Sequence, residues 1–114
     1  VLHKEVIKVK DLSPMRDYIY LDDLVTGLIN TLNNEEQFSI FNFGSGKGLS
    51  VSEVIQIIQN VAGTSKQVIS EEKERKNEIM NVVADMEKSK DYLNWRPIYS
   101  FEDGMREILN QKNV

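Results

Sequence analysis

The sequence of 114 residues contains no cysteine. That absence excludes disulfide bonds, zinc–thiolate centres and thiol catalysis, and it fits a cytoplasmic protein. Histidine, the usual proton shuttle, occurs once, as His3. Because the one histidine lies near the terminus, we do not expect a serine–histidine–acid triad. We therefore predict neither a catalytic residue nor a metal site in this chain.

Long apolar runs and basic clusters are also missing. No apolar run approaches the roughly 20 residues that a membrane span needs. The net charge is −4, and no cluster of lysine and arginine suits a nucleic-acid backbone. We expect neither a membrane nor a nucleic acid as a partner. The hydrophobic content of 40% suffices for a small core, so residues 1–114 are predicted to form a single domain.

Two nucleotide-binding fingerprints are absent from the glycine-rich stretch Gly44–Gly48. A P-loop requires Ser or Thr after its lysine, but Gly48 follows Lys47. The dinucleotide fingerprint G-x-G-x-x-G fails as well, because Leu49 stands where the third glycine belongs. The sequence also lacks a Tyr-x-x-x-Lys pair. We interpret the stretch as a tight strand-to-helix turn.

Short strands and helices alternate along the chain, which predicts an α/β domain with some parallel strand pairing. Two helices have capping boxes at their start, formed by Ser50 with Glu53 and, more weakly, by Ser100 with Asp103. The predicted strands cover residues 5–9, 17–21, 38–43 and 67–70. The predicted helices begin near Asp22, at Ser50, near Asp85 and at Ser100.

The helix near Asp22 has two further signals. Asp22 and Asp23 open it, and we predict that they cap its N-terminus. Its apolar residues recur at helical spacing and form one stripe, made up of Leu24, Val25, Leu28, Ile29 and Leu32.

Arg16 and Arg75 are the candidate ligand-binding residues, since guanidinium groups suit phosphate oxygens. The alternative is a surface ion pair with Asp17 or Glu74. Chemistry alone favours the ion pair, because such pairs are common.

Four segments occur together in an informative order: 16–24, 41–51, 83–97 and 100–104. They begin with Arg-Asp-Tyr-Ile-Tyr-Leu-Asp-Asp-Leu and include Phe-Asn-Phe-Gly-Ser-Gly and Leu-Asn-Trp-Arg-Pro. In this order the chain from Arg16 onward resembles the C-terminal part of extended short-chain dehydrogenases/reductases. It looks most similar to NAD-dependent nucleotide-sugar epimerases and dehydratases of the UDP-glucose 4-epimerase type. The resemblance implies the small substrate-binding portion of a Rossmann-type parent.

The resemblance implies roles for three residues. Arg16 matches the arginine that contacts the nucleotide diphosphate, and Arg75 matches a second phosphate-binding arginine. Glu78 falls where the family's R-P-G-D loop has an aspartate that contacts the nucleotide ribose. Here the loop reads Arg-Lys-Asn-Glu, so its last three residues depart from the pattern.

The resemblance also implies what lies elsewhere. In this family NAD and the catalytic Tyr-x-x-x-Lys pair belong to an N-terminal Rossmann domain that this chain does not contain. We expect a fragment that binds a nucleotide-sugar, with a UDP-sugar as the first choice. We expect that the fragment neither binds NAD tightly nor turns over alone. The parent would be an isomerase of carbohydrate biosynthesis that transiently oxidises the sugar. Uncovered apolar surface predicts self-association, in the simplest case a homodimer.

Two alternatives stay open. The chain could be a non-catalytic ligand-binding or sensor domain of the same superfamily, or part of a nucleotide-sugar reductase. The enzyme would require a glycine-rich turn and a Tyr-x-x-x-Lys pair in an upstream portion, whereas a binding protein would not.

Overall fold

The computed structural model describes residues 5–35, 38–73 and 77–112. Strands and helices are interspersed along these ranges, so the predicted α/β class is confirmed. The strands are β1 (Val6–Val9), β2 (Met15–Asp17), β3 (Gly48–Ser50) and β4 (Gln67–Ser70). The helices are α1 (Leu21–Thr31), α2 (Val51–Ala62), α3 (Glu87–Leu93) and α4 (Phe101–Lys112).

The strands form two small sheets. Strands β1 and β4 pair in parallel, with Val6 opposite Gln67. Strands β2 and β3 pair antiparallel, with Met15 opposite Ser50. On its other side β2 bridges in parallel to Asn81. Strand β2 therefore has neighbours on both sides, although it contains only three residues.

Helix α2 has the predicted ends. The Ser50 hydroxyl accepts a hydrogen bond from the Glu53 amide, and the Glu53 carboxylate accepts one from the Ser50 amide. At the other end, Gly63 takes a left-handed conformation with φ of 71°, which glycine adopts without a steric cost. The capping box of α4 is confirmed in the same way, by bonds between Ser100 and Asp103.

The prediction of a strand over residues 17–21 and of aspartate caps after it is wrong. Strand β2 ends at Asp17, and α1 begins at Leu21 with Tyr20 as a cap that makes no side-chain hydrogen bond. Tyr20 instead packs on Tyr99, with ring centroids 4.6 Å apart. The buried Asp23 carboxylate accepts bonds from the backbone amides of residues 98 and 99, so it joins two distant segments and caps nothing.

The predicted strand over residues 38–43 is also not formed. A strand needs a second strand that bonds its backbone, whereas here side chains of α3 donate hydrogen bonds to the segment. The Lys88 ammonium donates to the Ser39 hydroxyl and to the Ile40 carbonyl. The Ser89 hydroxyl donates to the Asn42 carbonyl at 2.6 Å. This segment is thus fixed by a helix, whereas the alternating sequence predicted sheet pairing.

The core is small and centres on Trp95, which is 1% exposed. Its ring meets Phe43 edge to face at 4.9 Å, and its indole N–H donates to the Asp23 carbonyl at 2.8 Å. Trp95, Met86 and Leu93 form the buried cluster, with partly buried apolar residues around it: Ile19, Phe41, Phe43 and Ala84.

Helix α1 faces this core with its polar and small residues. Asp23 and Gly27 are buried, and the Asn30 amide donates to the Leu93 carbonyl. A Cβ atom at Gly27 would lie 2.6 Å from the Phe43 ring, so only glycine permits this approach. Of the predicted apolar stripe, Leu24 is half-buried. The other four residues lie on the face opposite the core and are exposed, at 43% for Val25, 52% for Leu28, 56% for Ile29 and 82% for Leu32.

The molecule is a flat slab with principal extents of 51 × 41 × 16 Å. Its radius of gyration is 16.8 Å, against about 13 Å for a compact domain of this length. A thin slab buries little apolar surface, which accounts for the small core. None of the helices in the described ranges has both the length and the apolarity required to cross a bilayer.

Candidate functional site

A cleft of about 460 Å³ lies beside β1 and β2. This volume is within the range of small-molecule sites, about 300–1,000 Å³. Its wall has three cationic and two acidic side chains, which leaves one net positive charge. The lining residues are Lys8, Val9, Lys10, Asp11, Pro14, Arg16, Tyr18, Val51 and Glu78.

Strand β2 positions Arg16 at this cleft. The Met15 amide donates to the Met80 carbonyl at 2.7 Å, and the Val82 amide donates to the Met15 carbonyl at 3.2 Å. These bonds bring the chain around residues 78–82 alongside β2. Arg16 and Glu78 therefore become neighbours across 62 positions of sequence.

The guanidinium of Arg16 is held from two sides. One terminal nitrogen donates to the Met15 carbonyl at 2.8 Å, and the other donates to the Glu78 carboxylate at 2.9 Å. The side chains of Arg16 and Glu78 are 32% and 19% exposed. The pair is thus accessible from the cleft yet sheltered from bulk water, which strengthens its hydrogen bonds relative to a surface pair.

The predicted site residues have different outcomes. Arg16 and Glu78 meet at the cleft, and Arg16 forms its ion pair with Glu78 and not with the predicted alternative Asp17. The other predicted partner, Glu74, lies outside the described residues. Arg75 lies outside the described residues. Sequence reasoning missed Lys8 and Lys10, which line the same cleft. The signal that could have found them is the alternation of charged and apolar residues in Val-Ile-Lys-Val-Lys.

The turn Gly44–Gly48 does not fit the pyrophosphate of a dinucleotide. The backbone amides of Ser45 and Gly46, which a phosphate would need, donate to the Asp17 carboxylate at 2.7 and 3.0 Å. Strand β3 follows the turn, so no helix N-terminus opens directly from it. The prediction of a strand-to-helix turn is wrong, because residues 38–43 before the stretch form no strand and strand β3 follows it.

The Asp17 carboxylate is the most heavily bonded acid among the described residues. Burial alone would raise its pKa, but hydrogen bonds from the Ser45 hydroxyl and from the amides of Ser45, Ala84 and Gly46 outweigh burial and lower the pKa. The carboxylate is therefore ionised at neutral pH although it is partly buried.

Residues 5–35, 38–73 and 77–112 contain no candidate metal centre. Within them, no three histidine, aspartate or glutamate side chains lie close enough together to hold a metal ion. The chemistry that the cleft offers is ionic and hydrogen-bonding, with guanidinium and ammonium donors beside a carboxylate acceptor.

Comparison with known proteins gives a consistent picture. A family model described as GDP-mannose 4,6 dehydratase matches residues 1–108. UDP-glucuronate 4-epimerase from Thermodesulfobacterium geofontis is 32% identical over 104 residues, which cover 83% of this chain and 29% of the relative. dTDP-4-dehydro-6-deoxyglucose reductase from Escherichia coli is 30% identical over 94 residues, which cover 82% of this chain and 29% of the relative.

The fold agrees with a solved structure. UDP-glucose 4-epimerase from Thermotoga maritima, solved with UDP-glucose, superposes with a TM-score of 0.83 at 25% identity, over 95% of this chain and 36% of that one. The chain spans about 30% of the length of the curated relatives it matches.

Proposed function

Because the chain belongs to the GDP-mannose 4,6 dehydratase family, among the extended short-chain dehydrogenases/reductases, we propose that it forms the nucleotide-sugar-binding part of an NAD-dependent epimerase or dehydratase. The whole protein would act by transient oxidation of the sugar. This chain would contribute the binding of the nucleotide diphosphate, which fixes the sugar at a distance from the reacting carbon.

The observation that carries the proposal is the position of Arg16 in the cleft. Its guanidinium is accessible and pre-aligned by the Met15 carbonyl and Glu78. Two lysines, Lys8 and Lys10, line the same cavity. A nucleoside diphosphate supplies the anionic oxygens that such a group of donors recognises.

Three residues have proposed roles. Arg16 donates to the diphosphate, and Arg75 supplies a second cation to it. Glu78 accepts hydrogen bonds from ribose hydroxyls, which a carboxylate can do as an acceptor-only group. In the free chain, the Glu78 carboxylate neutralises the Arg16 guanidinium. When the diphosphate binds, its oxygens would accept some of the guanidinium's hydrogen bonds. The ion pair thus keeps the arginine ordered until the ligand arrives.

NAD is proposed to bind outside this chain. In the glycine-rich turn, the amides of Ser45 and Gly46 are not available to a pyrophosphate, since both donate to the Asp17 carboxylate. No step of hydride transfer is therefore assigned to the residues of this chain.

UDP is the proposed nucleotide, because the relative from Thermodesulfobacterium geofontis is named for a UDP-sugar and the superposed Thermotoga maritima structure contains UDP-glucose. A reductase is the second candidate for the whole protein, favoured by the similarity to the Escherichia coli reductase. The binding role of this chain is the same in both.

The exposed stripe of α1 is proposed to be an association surface. Val25, Leu28, Ile29 and Leu32 form one apolar face that points away from the small core. Contiguous apolar patches drive association in water. The chain on its own is therefore proposed to pair with a second copy through α1.

A thermal-denaturation screen tests the binding role. Ligand that binds only the folded chain raises its melting temperature. UDP-glucose, GDP-mannose and dTDP-glucose are compared at equal concentration, with free glucose as the control. A rise with the nucleotide-sugars and none with glucose supports the proposal. No rise with any nucleotide-sugar contradicts it.

A further inference from the structure

Asp17 follows Arg16 in β2, and its side chain points to the opposite face of the strand. Successive side chains of a strand point to opposite faces. Arg16 lines the cleft, whereas the Asp17 carboxylate accepts four hydrogen bonds from two other segments. One oxygen accepts from the Ser45 amide at 2.7 Å and from its hydroxyl at 2.6 Å. The other accepts from the amides of Gly46 at 3.0 Å and Ala84 at 3.1 Å.

The carboxylate is partly buried and lies in close contact with the segments around it. A Cβ atom added at Gly44 would lie 2.6 Å from an oxygen of Asp17 and 2.6 Å from the Cβ of Ala84. The glycine at this position lets the turn approach the acid. The fit leaves the Asp17 side chain little freedom to change its rotamer.

The donors belong to the two neighbours of β2. Ser45 and Gly46 lie directly before β3, which pairs with β2. Ala84 follows Val82, whose amide donates to Met15. One carboxylate therefore ties β2 to both flanking segments, and the segment on the Ala84 side continues back to Glu78.

We propose that Asp17 is a positioning residue for nucleotide-diphosphate binding. The Asp17 carboxylate fixes β2 between the two segments that flank it. It thereby sets the direction in which the Arg16 side chain enters the cleft and the distance between Arg16 and Glu78. This inference rests on the proposed function, since it assumes that Arg16 meets the diphosphate. A three-residue strand has few ladder bonds of its own, so the four bonds at the Asp17 side chain add substantially to the backbone bonds of Met15 in placing β2.

The test compares two ligands, UDP and uridine, by NMR titration of the whole chain. Both ligands have the base and ribose, but only UDP presents a diphosphate. Asp17→Asn keeps the size of the side chain but replaces one acceptor oxygen with an NH₂ donor. That donor then faces N–H and O–H groups that are themselves donors. We expect the dissociation constant for UDP to rise about tenfold and that for uridine to stay within about twofold, as a misdirected Arg16 loses one charge-assisted contact.

Two further variants make the result decisive. Ser45→Ala removes the hydroxyl donor at Asp17 together with that hydroxyl's two bonds to the Lys47 backbone, and it leaves the Asp17 carboxylate in place. It is expected to weaken UDP binding by a smaller factor with uridine unchanged. Asp103→Asn is the matched control, because it removes a similar carboxylate–serine contact at the start of α4. We expect Asp103→Asn to leave both affinities unchanged.

The outcomes separate the inference from the proposed function. If UDP does not bind the unmodified chain, the proposed function and the inference both fail. If UDP binds the unmodified chain and the Asp17 and Ser45 variants equally well, the proposed function stands and the inference is overturned. An equal loss for UDP and uridine also overturns it, because that result indicates a general structural role.

Discussion

The guanidinium of Arg16 and the carboxylate of Glu78 lie 2.9 Å apart, although 62 positions of sequence separate them. The contact forms because Met15 exchanges backbone hydrogen bonds with Met80 and Val82. The contact places in one cleft the residue proposed to bind the diphosphate, Arg16, and the residue proposed to bind the ribose, Glu78. The pairing also means that the free chain presents a partly neutralised cation to an incoming nucleotide.

Glu78 can be tested through the ribose. Glu78→Gln removes a strong acceptor for ribose hydroxyls but also removes a negative charge near the diphosphate. Comparing UDP with dideoxy-UDP, which lacks both hydroxyls, separates these effects, because the charge acts on both ligands alike. The ratio of the affinity for UDP to the affinity for dideoxy-UDP should be about fivefold lower in the Glu78→Gln variant than in the unmodified chain. An unchanged ratio would exclude Glu78 from ribose contact.

NAD is expected not to bind the chain at micromolar concentration. The amides of Ser45 and Gly46 already donate to Asp17, so these two donors of the glycine-rich turn are not available to a pyrophosphate. Isothermal titration of NAD into the chain, with UDP as the comparison ligand, measures this directly. A micromolar dissociation constant for NAD would require a site that the described residues do not suggest.

The apolar face of α1 should make the chain associate. Leu28→Lys places a charge in the middle of the exposed stripe and should shift the light-scattering mass toward the monomer at high protein concentration. Thr26→Lys is the control, because it adds the same charge to an exposed position of the same helix outside the stripe. A monomer in the unmodified chain, or equal effects of both variants, would contradict pairing through this face.

Asp17 predicts a pH dependence of stability. Its folded pKa is lowered below the ordinary value of 3.8. The ionised carboxylate therefore stabilises the fold fully above that value, and the contribution is lost as pH falls through the folded pKa. The free energy of unfolding of the unmodified chain relative to Asp17→Asn should be constant above about pH 5 and shrink below about pH 4. Urea titrations over this range measure the difference, and a constant difference would contradict the prediction.

The features predictable from sequence were those set by near neighbours. The capping box of Ser50 and Glu53 uses residues three positions apart, and the left-handed Gly63 needs no tertiary contact. The segment 38–43 has the alternation of a strand but makes no ladder, because pairing requires a second strand that the local pattern cannot guarantee. Its acceptors are instead met by Lys88 and Ser89.

Helix α1 illustrates a second kind of limit. Periodicity correctly gave an apolar stripe, but it does not tell which face meets the core. The buried face contains Asp23 and Gly27, since Trp95 and Phe43 pack there and leave no room for larger side chains. Similarly, side-chain chemistry identified Arg16 as a candidate and a family resemblance added Glu78. Their direct pairing depends on the long-range placement of residues 78–82 beside β2.

The central claim is that Arg16 binds a nucleotide diphosphate, and isothermal titration of UDP-glucose into the unmodified chain and the Arg16→Ala variant tests it most directly. Loss of charge-assisted hydrogen bonds should raise the dissociation constant roughly tenfold to a hundredfold. Arg106→Ala, which removes an exposed arginine paired with Glu102 on α4, should leave it unchanged. Equal affinity of the unmodified chain and the Arg16→Ala variant would contradict the account.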